Sequence, residues 1–517
     1  WFLTVFDTKL YLALGSATAT AAELIQSQRT LFRKVSQSVG EAKSKRYSEQ
    51  HLTDLFNPNS MYNTVLHGER ECSICHTSTA TLLPYGKDTD AEACSICNGL
   101  YRLGEQIVDS RDTVFVLAHP NNSDTCESIP KVEVYVNNWN DDADNLRLYL
   151  YVVPEASLQK FEANHEILRI YSKNTAKTGH NVFNRIWLAD YVARKDNGQV
   201  YEFEELAASS GSSDDKGIKR LGVLRADVDN LGAAFIGGFI SEGSDQFKYG
   251  TLSRYADLSR DLAMFFKVAV NKMAQGDVQG FGTSVMPFTI WANKQVTTRK
   301  IHVIYSGGDD VFLVGAWDEL LELAIDIREK LAEVTDNKIT MSAGLALFSP
   351  SYPISQMATI TGLLESVAKD NDGKDSIALF GFETNSNGEE RICRHVYKWD
   401  DLIKNVIKEK LYTLDQLFVI PGINEAQDSK MKLGKGLIYK LMELLQGILN
   451  DRALGKHINV ARILYLLARL EPKKNNPTYE SYKNFVTAIH RWIQSEKDCK
   501  ALLTACNLIV YYMRDTK

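Results

Sequence analysis

Apolar and polar positions change period in blocks along this chain, and the blocks mark out its domains. An apolar run over 1–6 reads as a strand and 21–39 as a helix, so 1–70 resembles part of an α/β domain. Strand-like runs follow at 113–118, 131–136, 146–153 and 185–191. The polar run Ser209-Ser210-Gly211-Ser212-Ser213-Asp214-Asp215 reads as a linker closing a β-rich connecting region over 71–215. From 216 the order is strand 221–226, helix 252–273, strands 300–305 and 311–315, helix 317–334, strand 339–348, helix 354–369 and strand 376–380. This predicts a ferredoxin-like α/β sandwich over 216–388. Apolar spacing of three and four over 437–449, 460–470, 482–493 and 501–513 predicts a helical bundle over 389–517, for an α+β chain overall.

Composition bounds the function more than the fold. The 517 residues are 44% hydrophobic, enough for several cores. A formal charge of -6 argues against nonspecific coating of nucleic acid, so any RNA or DNA contact must come from local patches or partner subunits. One such patch is the run of Lys430, Lys432, Lys435, Lys440, Arg452, Lys456, Arg462, Arg469, Lys473 and Lys474, which suits a solvated face or an acidic partner such as RNA. No apolar run reaches the roughly 18 residues of a membrane span, and the first residues lack the pattern of a signal peptide, so a cytoplasmic location is expected. The chain begins at Trp1, which reads as a fragment or part of a longer protein.

Four of the eight cysteines form Cys72-Ser-Ile-Cys75 and Cys94-Ser-Ile-Cys97, two near-identical knuckles at four-thiolate zinc spacing. A reducing compartment disfavours disulfides, and four protein ligands leave no open position for water, so a structural Zn2+ is expected. Cys126, Cys393, Cys499 and Cys506 are scattered and read as buried thiols.

The candidate chemistry lies in Val303-Ile304-Tyr305-Ser306-Gly307-Gly308-Asp309-Asp310-Val311, a hairpin whose turn ends in paired carboxylates. Gly307 and Gly308 allow a tight turn and leave room for a phosphate, while Asp309 and Asp310 offer hard oxygen ligands. The strand ending Ala226-Asp227-Val228-Asp229-Asn230 lies beside this hairpin in a ferredoxin-like sheet, which brings Asp227 to Asp309. Mg2+ or Mn2+ suits such oxygens, and two ions would serve nucleotidyl transfer. Taken singly, Asp-x-Asp also caps turns and Gly-Gly-Asp-Asp also makes loops.

Residues 218–385 resemble the palm domain of GGDEF-type nucleotide cyclases and, more closely, that of the large subunit of type III CRISPR effector complexes. The match rests on Ala226-Asp227-Val228-Asp229-Asn230-Leu231-Gly232, Thr251-Leu252-Ser253-Arg254, Tyr305-Ser306-Gly307-Gly308-Asp309-Asp310, and Ala368-Lys369 with Gly373-Lys374. Asp310 and Val311 replace the last two positions of the GGDEF motif, which favours the CRISPR subunit. The order of zinc module, palm and helical domain is similar to the type III-A version. The resemblance implies synthesis of cyclic oligoadenylates from ATP, between this palm and a degenerate N-terminal palm expected in part over 1–70. It implies activation by target RNA within a complex of other type III-A subunits and guide RNA, with single-stranded DNA as a further partner and antiviral defence as the role. It also implies that Asp227 and Asp309 hold metal with Asp310 assisting, that Lys369 contacts triphosphate, and that Ser306 and Asn230 approach the nucleotide. A solvated helix-end lysine and ordinary turn formation are the alternatives for these last three. No histidine is followed by aspartate, so the HD nuclease domain usual in the family is expected to be missing from this chain, and no DNase activity is expected of it. The competing functions are a diguanylate-cyclase-like nucleotidyl transferase and a noncatalytic scaffold.

Overall fold

The structure, a computed structural model, describes residues 11–26, 28–59, 70–76, 78, 82–86, 91–109, 113–119, 131–136, 146–175, 183–213, 215–239, 249–276, 287–291, 298–384, 391–419, 430–432, 435–454 and 460–514. They fall into two compact units, 1–188 with 233–258, and 189–232 with 259–517.

In the first unit, 11–20 carry no regular structure and lead into helices Ala21–Gln26, Gln28–Ser44 and Glu49–Phe56. The strand expected over 1–6 lies outside the described residues. Tyr255, 7% exposed, gathers Phe32, Phe235 and Phe239 around its ring, with centroids at 5.3, 6.2 and 5.1 Å. A two-stranded ribbon, β1 (Leu82–Pro84) and β2 (Glu92–Cys94), then leads into helix α1 (Ser95–Asp109).

The region read as a connector is a single sheet. Its strands β3 (Thr113–Ala118), β4 (Lys131–Val136), β5 (Leu146–Pro154), β6 (Ile167–Lys173) and β7 (Phe183–Ile186) take the order β4-β5-β3-β6-β7. Val114, Val116 and Ala118 alternate onto a core shared with Tyr151, Val153, Ile170 and the short-helix residues Leu158 and Phe161. The first four strands have the ferredoxin-like order of second, third, first and fourth strand. Where the sequence suggests a partial palm over 1–70, the described residues hold three helices, and this strand order is found over 113–173.

The second unit repeats that order. Strands β8 (Leu221–Val228), β9 (Ile301–Ser306), β10 (Asp310–Ala316), β11 (Met341–Phe348), β12 (Ser376–Phe380) and β13 (Val396–Lys398) line up as β13-β12-β11-β8-β10-β9. The β11-β8-β10-β9 core is antiparallel, and β12 joins β11 in parallel through the crossover helix α3 (Ile354–Asp370). Helix α2 (Trp317–Val334) covers the other face, where Gly222 is needed because a Cβ there would lie 2.6 Å from the Trp317 Cα. Odd-numbered residues of β8 face α3: Leu221 and Val223 join Val314, Ala346, Met357 and Leu364 in one buried cluster. Arg225 and Asp227 continue that face toward the sheet edge.

Beyond 399 the described residues are largely helical, as expected, and α4 (Glu496–Met513) is buried along most of its length. The polar run at 209–215 is no free linker. Ser210 is fully buried and its Oγ accepts from the Trp317 amide at 3.1 Å, while the Ser212 amide donates to Tyr512 at 3.0 Å. Composition alone pointed to a linker because serine and glycine also suit tightly hydrogen-bonded turns.

Candidate active site

Three elements of the second unit converge at one sheet edge. Pairing of β8 with β10 puts Asp310 directly across from Asp227, and the Val228 amide donates to the Asp309 carbonyl at 3.0 Å. The turn is closed by the Gly307 amide donating to the Asp310 carbonyl at 2.8 Å. Two glycines serve it differently. A Cβ on Gly307 would lie 2.4 Å from both Asp310 Oδ1 and the Tyr305 hydroxyl, whereas a Cβ on Gly308 would meet no protein atom within 4 Å. Gly308 therefore leaves open space on the outer side of the turn.

Lys369, in the last turn of α3, reaches across to Asp227. Its ammonium binds Asp227 Oδ2 and, at 2.8 Å, Glu365 Oε1 one helical turn back. Glu365 also takes Arg225 Nε at 3.1 Å, so a file of alternating charge runs along the odd face of β8. Burial alone would lower the Lys369 pKa, but hydrogen bonds and charge from Asp227 and Glu365 outweigh it and raise it. Asp309 moves above the usual carboxylate range because it is partly buried and near the charges of Asp227 and Asp310, against an opposing pull from Lys369. Three carboxylates and one ammonium thus share the edge.

The second aspartate of Asp-x-Asp has a different task. Asp229, 5% exposed, accepts from Thr340 Oγ1 at 2.9 Å, Ser342 Oγ at 2.8 Å and the Asp375 amide at 3.0 Å. Its acceptor capacity is spent on tying β8 to β11 and to the turn before β12. Asn230 follows in a left-handed conformation with φ 54°, and its Oδ1 accepts from Lys374 Nζ at 2.7 Å. Ser306 Oγ donates to the Phe266 carbonyl at 2.7 Å, at a π-helical turn over Phe265–Ala269. Lys369, Gly307 and Gly308 stand with the carboxylates, while the side chains of Asn230 and Ser306 are engaged in holding neighbouring segments. Sequence reasoning did not single out Glu365 or Tyr305. Glu365 stands one helical turn before Lys369, a spacing that could have flagged it.

In the first unit, Cys72 and Cys75 lie on a turn whose His76 amide donates to the Cys72 carbonyl at 2.9 Å, and Cys94 and Cys97 lie at the junction of β2 and α1. The four Sγ atoms lie within 4.8 Å of one another, and Cys75 and Cys94 are 3.8 Å apart. Four thiolates about 2.3 Å from a tetrahedral zinc would stand about 3.8 Å apart, so this donor set fits the metal. Burial opposes ionisation of Cys72, but amides of Cys75, Cys94 and Ile74 outweigh it and bring its pKa down to about 6. Among the described residues this is the one cluster tight enough to be a ready-made metal site. The carboxylates at the palm edge are near neighbours held by separate partners.

Comparison with known proteins agrees with the two folds. Residues 220–378 match the family model for the Cas10/Cmr2 second palm domain, 423–515 that for the second helical domain of the CRISPR RNA silencing complex Cmr2 subunit, and 1–60 that for Csm1 subunit domain B. The second unit is thus built on a Cas10-type palm. The chain is 33% identical over 530 residues to the CRISPR system single-strand-specific deoxyribonuclease Cas10/Csm1 (subtype III-A) of Mycobacterium tuberculosis, an alignment taking in 99% of this chain and 56% of that protein. It is 32% identical to the protein of the same description from Streptococcus thermophilus, over 99% of this chain and 57% of that one. It spans just over half the length of these relatives. The chain belongs to the Cas10/Csm1 family, the large subunits of type III-A CRISPR complexes. In fold it resembles the crystal structure of a Csm1-Csm4 cassette in complex with one ATP, with a TM-score of 0.61, 21% identity, and coverage of 99% of this chain and 58% of that one. It likewise resembles such a cassette in complex with cA4, with a TM-score of 0.58, 22% identity, and coverage of 99% and 58%.

Proposed function

We propose that this chain joins ATP molecules into cyclic oligoadenylates, as the large subunit of a type III-A CRISPR complex switched on by target RNA in antiviral defence. The observation that carries this reading is the edge where Asp227 and Asp310 pair across strands, with Asp309 and Lys369 beside them and open space over Gly308. It is supported by family membership and by relatives of the same fold crystallised with one ATP, with pppApApA and with cA4.

Asp227, Asp309 and Asp310 would hold Mg2+ or Mn2+, whose oxygen preference matches this donor set. Such a metal, when bound, neutralises triphosphate charge and acidifies the attacking hydroxyl. The chain's own part is to orient two nucleotides. Open space over Gly308 admits a phosphate close to the backbone, and Lys369 offers an ammonium to the triphosphate once it leaves Asp227. The 3′-oxygen of one adenylate then bonds to the α-phosphorus of the next, the bond to the β-phosphate oxygen breaks, pyrophosphate leaves and the hydroxyl proton passes to solvent. Most of the acceleration in such a site comes from positioning and charge. Zn2+ on Cys72, Cys75, Cys94 and Cys97 would staple the ribbon to α1 and take no part in the reaction. Partners in this reading are the other type III-A subunits, including one like the Csm4 of the related cassettes, together with guide and target RNA.

The test is to incubate the assembled guide-RNA complex with ATP, Mg2+ or Mn2+ and cognate target RNA, and to resolve products by mass spectrometry. Cyclic oligoadenylates that vanish in Asp309→Ala/Asp310→Ala bear the reading out. Consumption of GTP in place of ATP would turn it toward a diguanylate-cyclase-like enzyme. No product from any nucleotide, with the complex intact, would leave a scaffold.

A further inference from the structure

Strict alternation puts Tyr305 on the same face of β9 as Val303, which is 7% exposed in the core beneath the hairpin. The pairing is different. Val311 lies opposite Ser306 and Phe312 opposite Tyr305, but Leu313 lies opposite Val303. Ile304 is therefore the extra residue of a β-bulge, and such insertions re-aim the side chains beyond them. As the partner of Phe312, Tyr305 joins the face that carries Asp310, Asp227 and Arg225. Both Ile304 and Tyr305 are exposed, at 43% and 53%, which a regular strand with one buried face would not give.

The re-aimed ring ends beside a carboxylate. The Tyr305 hydroxyl and Asp310 Oδ1 both stand over Gly307. Each lies 2.4 Å from the point a Cβ of Gly307 would occupy, so at most twice that distance separates the phenol from the carboxylate. The bulge supplies the direction and Gly307 the room.

The geometry points to Tyr305 as a positioning residue for Asp310: its phenol fixes one rotamer of that carboxylate at the palm edge, through a β-bulge at Ile304 and the bare α-carbon of Gly307. The inference rests on the proposed role of Asp310 at a divalent-metal site. A phenol donating to one oxygen leaves the other oxygen free for a cation. It also selects one orientation of a side chain that would otherwise rotate at the surface.

The experiment is a double-mutant cycle on the assembled complex with Tyr305→Phe, Asp310→Ala and the double variant, titrating Mn2+ by electron paramagnetic resonance and measuring ATP turnover and thermal stability. A net hydrogen bond at an exposed site is worth about three- to tenfold in affinity. Tyr305→Phe is expected to weaken Mn2+ binding and lower kcat by that factor, with KM for ATP and Tm unchanged, and to add nothing in the Asp310→Ala background. An unchanged Mn2+ affinity, or a loss that persists without Asp310, overturns the inference. So does a wild-type complex whose Mn2+ binding ignores Asp310→Ala, since Tyr305 would then have no ligand to position. A complex that binds Mn2+ through Asp310 yet makes no oligoadenylate sinks the proposed function alone, and the Mn2+ affinities still decide the role of Tyr305.

Discussion

Lys369 holds the position where a cation is needed most. Its ammonium lies on Asp227 and is braced by Glu365, so in the absence of other cations it partly offsets the like charges at the edge. The same contact makes it a competitor for any metal that uses Asp227, and a lysine drawn off by an incoming triphosphate would expose that carboxylate as the nucleotide arrives. These two roles separate in Lys369→Met. Removing the ammonium is expected to leave Mn2+ binding as tight as in the wild type or tighter. It should cost about tenfold or more in kcat/KM for ATP, the worth of one charged hydrogen bond of about 1.5–3 kcal/mol. Mn2+ titration alongside steady-state ATP kinetics checks both. A parallel loss of metal affinity would show that Lys369 organises Asp227 and does not compete at it.

At the scale of elements, helix α2 (Trp317–Val334) and strands β3 (Thr113–Ala118) and β12 (Ser376–Phe380) were legible to the residue because their apolar periods are uninterrupted. β6 (Ile167–Lys173) escaped the pattern because only Ile170 and Ser172 are deeply buried on it, so its inward face is half polar. The bulge at Ile304 could not be read either, since it exists only in the pairing of β9 with β10. Asp227 and Asp309 were legible because the ferredoxin-like order makes β8 a neighbour of the hairpin. The engagement of Ser306 with Phe266 depends on a π-helical turn that no local period announces.

The contact of β13 with α4 has its own pH dependence. His395 donates through Nδ1 to Thr504 Oγ1 at 2.8 Å, because that oxygen already gives its proton to the Lys500 carbonyl at 3.0 Å and also takes the Tyr397 hydroxyl at 2.6 Å. Burial, and then the charge of Arg394, pull the His395 pKa from 6.5 down to about 4, while Glu383 stands 3.9 Å from Nε2. A histidine kept neutral in the fold but free to charge when unfolded stabilises fully above pH 6.5, and that contribution is lost as pH falls toward 4. About 2 kcal/mol of it should go between pH 7 and pH 5. His395→Gln, which keeps a donor for Thr504 and cannot titrate, is expected to show a smaller fall in the denaturant midpoint over that interval. Equal falls would place the acid sensitivity elsewhere.

On the scale of the whole molecule, the second unit is closed by residues about 300 apart in sequence. The end of α4 lies against the lead-in to β8: the Ser212 amide donates to Tyr512 at 3.0 Å, Ile218 to Tyr511 at 2.8 Å and Gly217 to Arg514 at 2.6 Å. Lys219 Nζ gathers the carbonyls of Ser210, Ser213 and Lys216 at 2.7, 2.7 and 2.9 Å, which stiffens the loop from within. Two glycines make the approach feasible. Gly211 and Gly217 have φ of 94° and 92°, and a Cβ on Gly217 would lie 2.6 Å from the Gly211 Cα and 3.0 Å from the Tyr512 carbonyl. β8 carries Asp227 at its far end, so this clasp fixes the start of the strand on which the proposed active site depends. Gly217→Val should open it, combining left-handed strain with the loss of three backbone hydrogen bonds at about 1 kcal/mol each. The expected result is a lower denaturant midpoint for the second unit and new protease cleavage within 209–217. Gly447→Ala, in a helix with no atom within 4 Å of the added methyl, should leave both unchanged or raise the midpoint slightly. If Gly217→Val unfolds no more readily than that control, the helical end of the chain is an appendage, and the palm edge must be held by its own sheet alone.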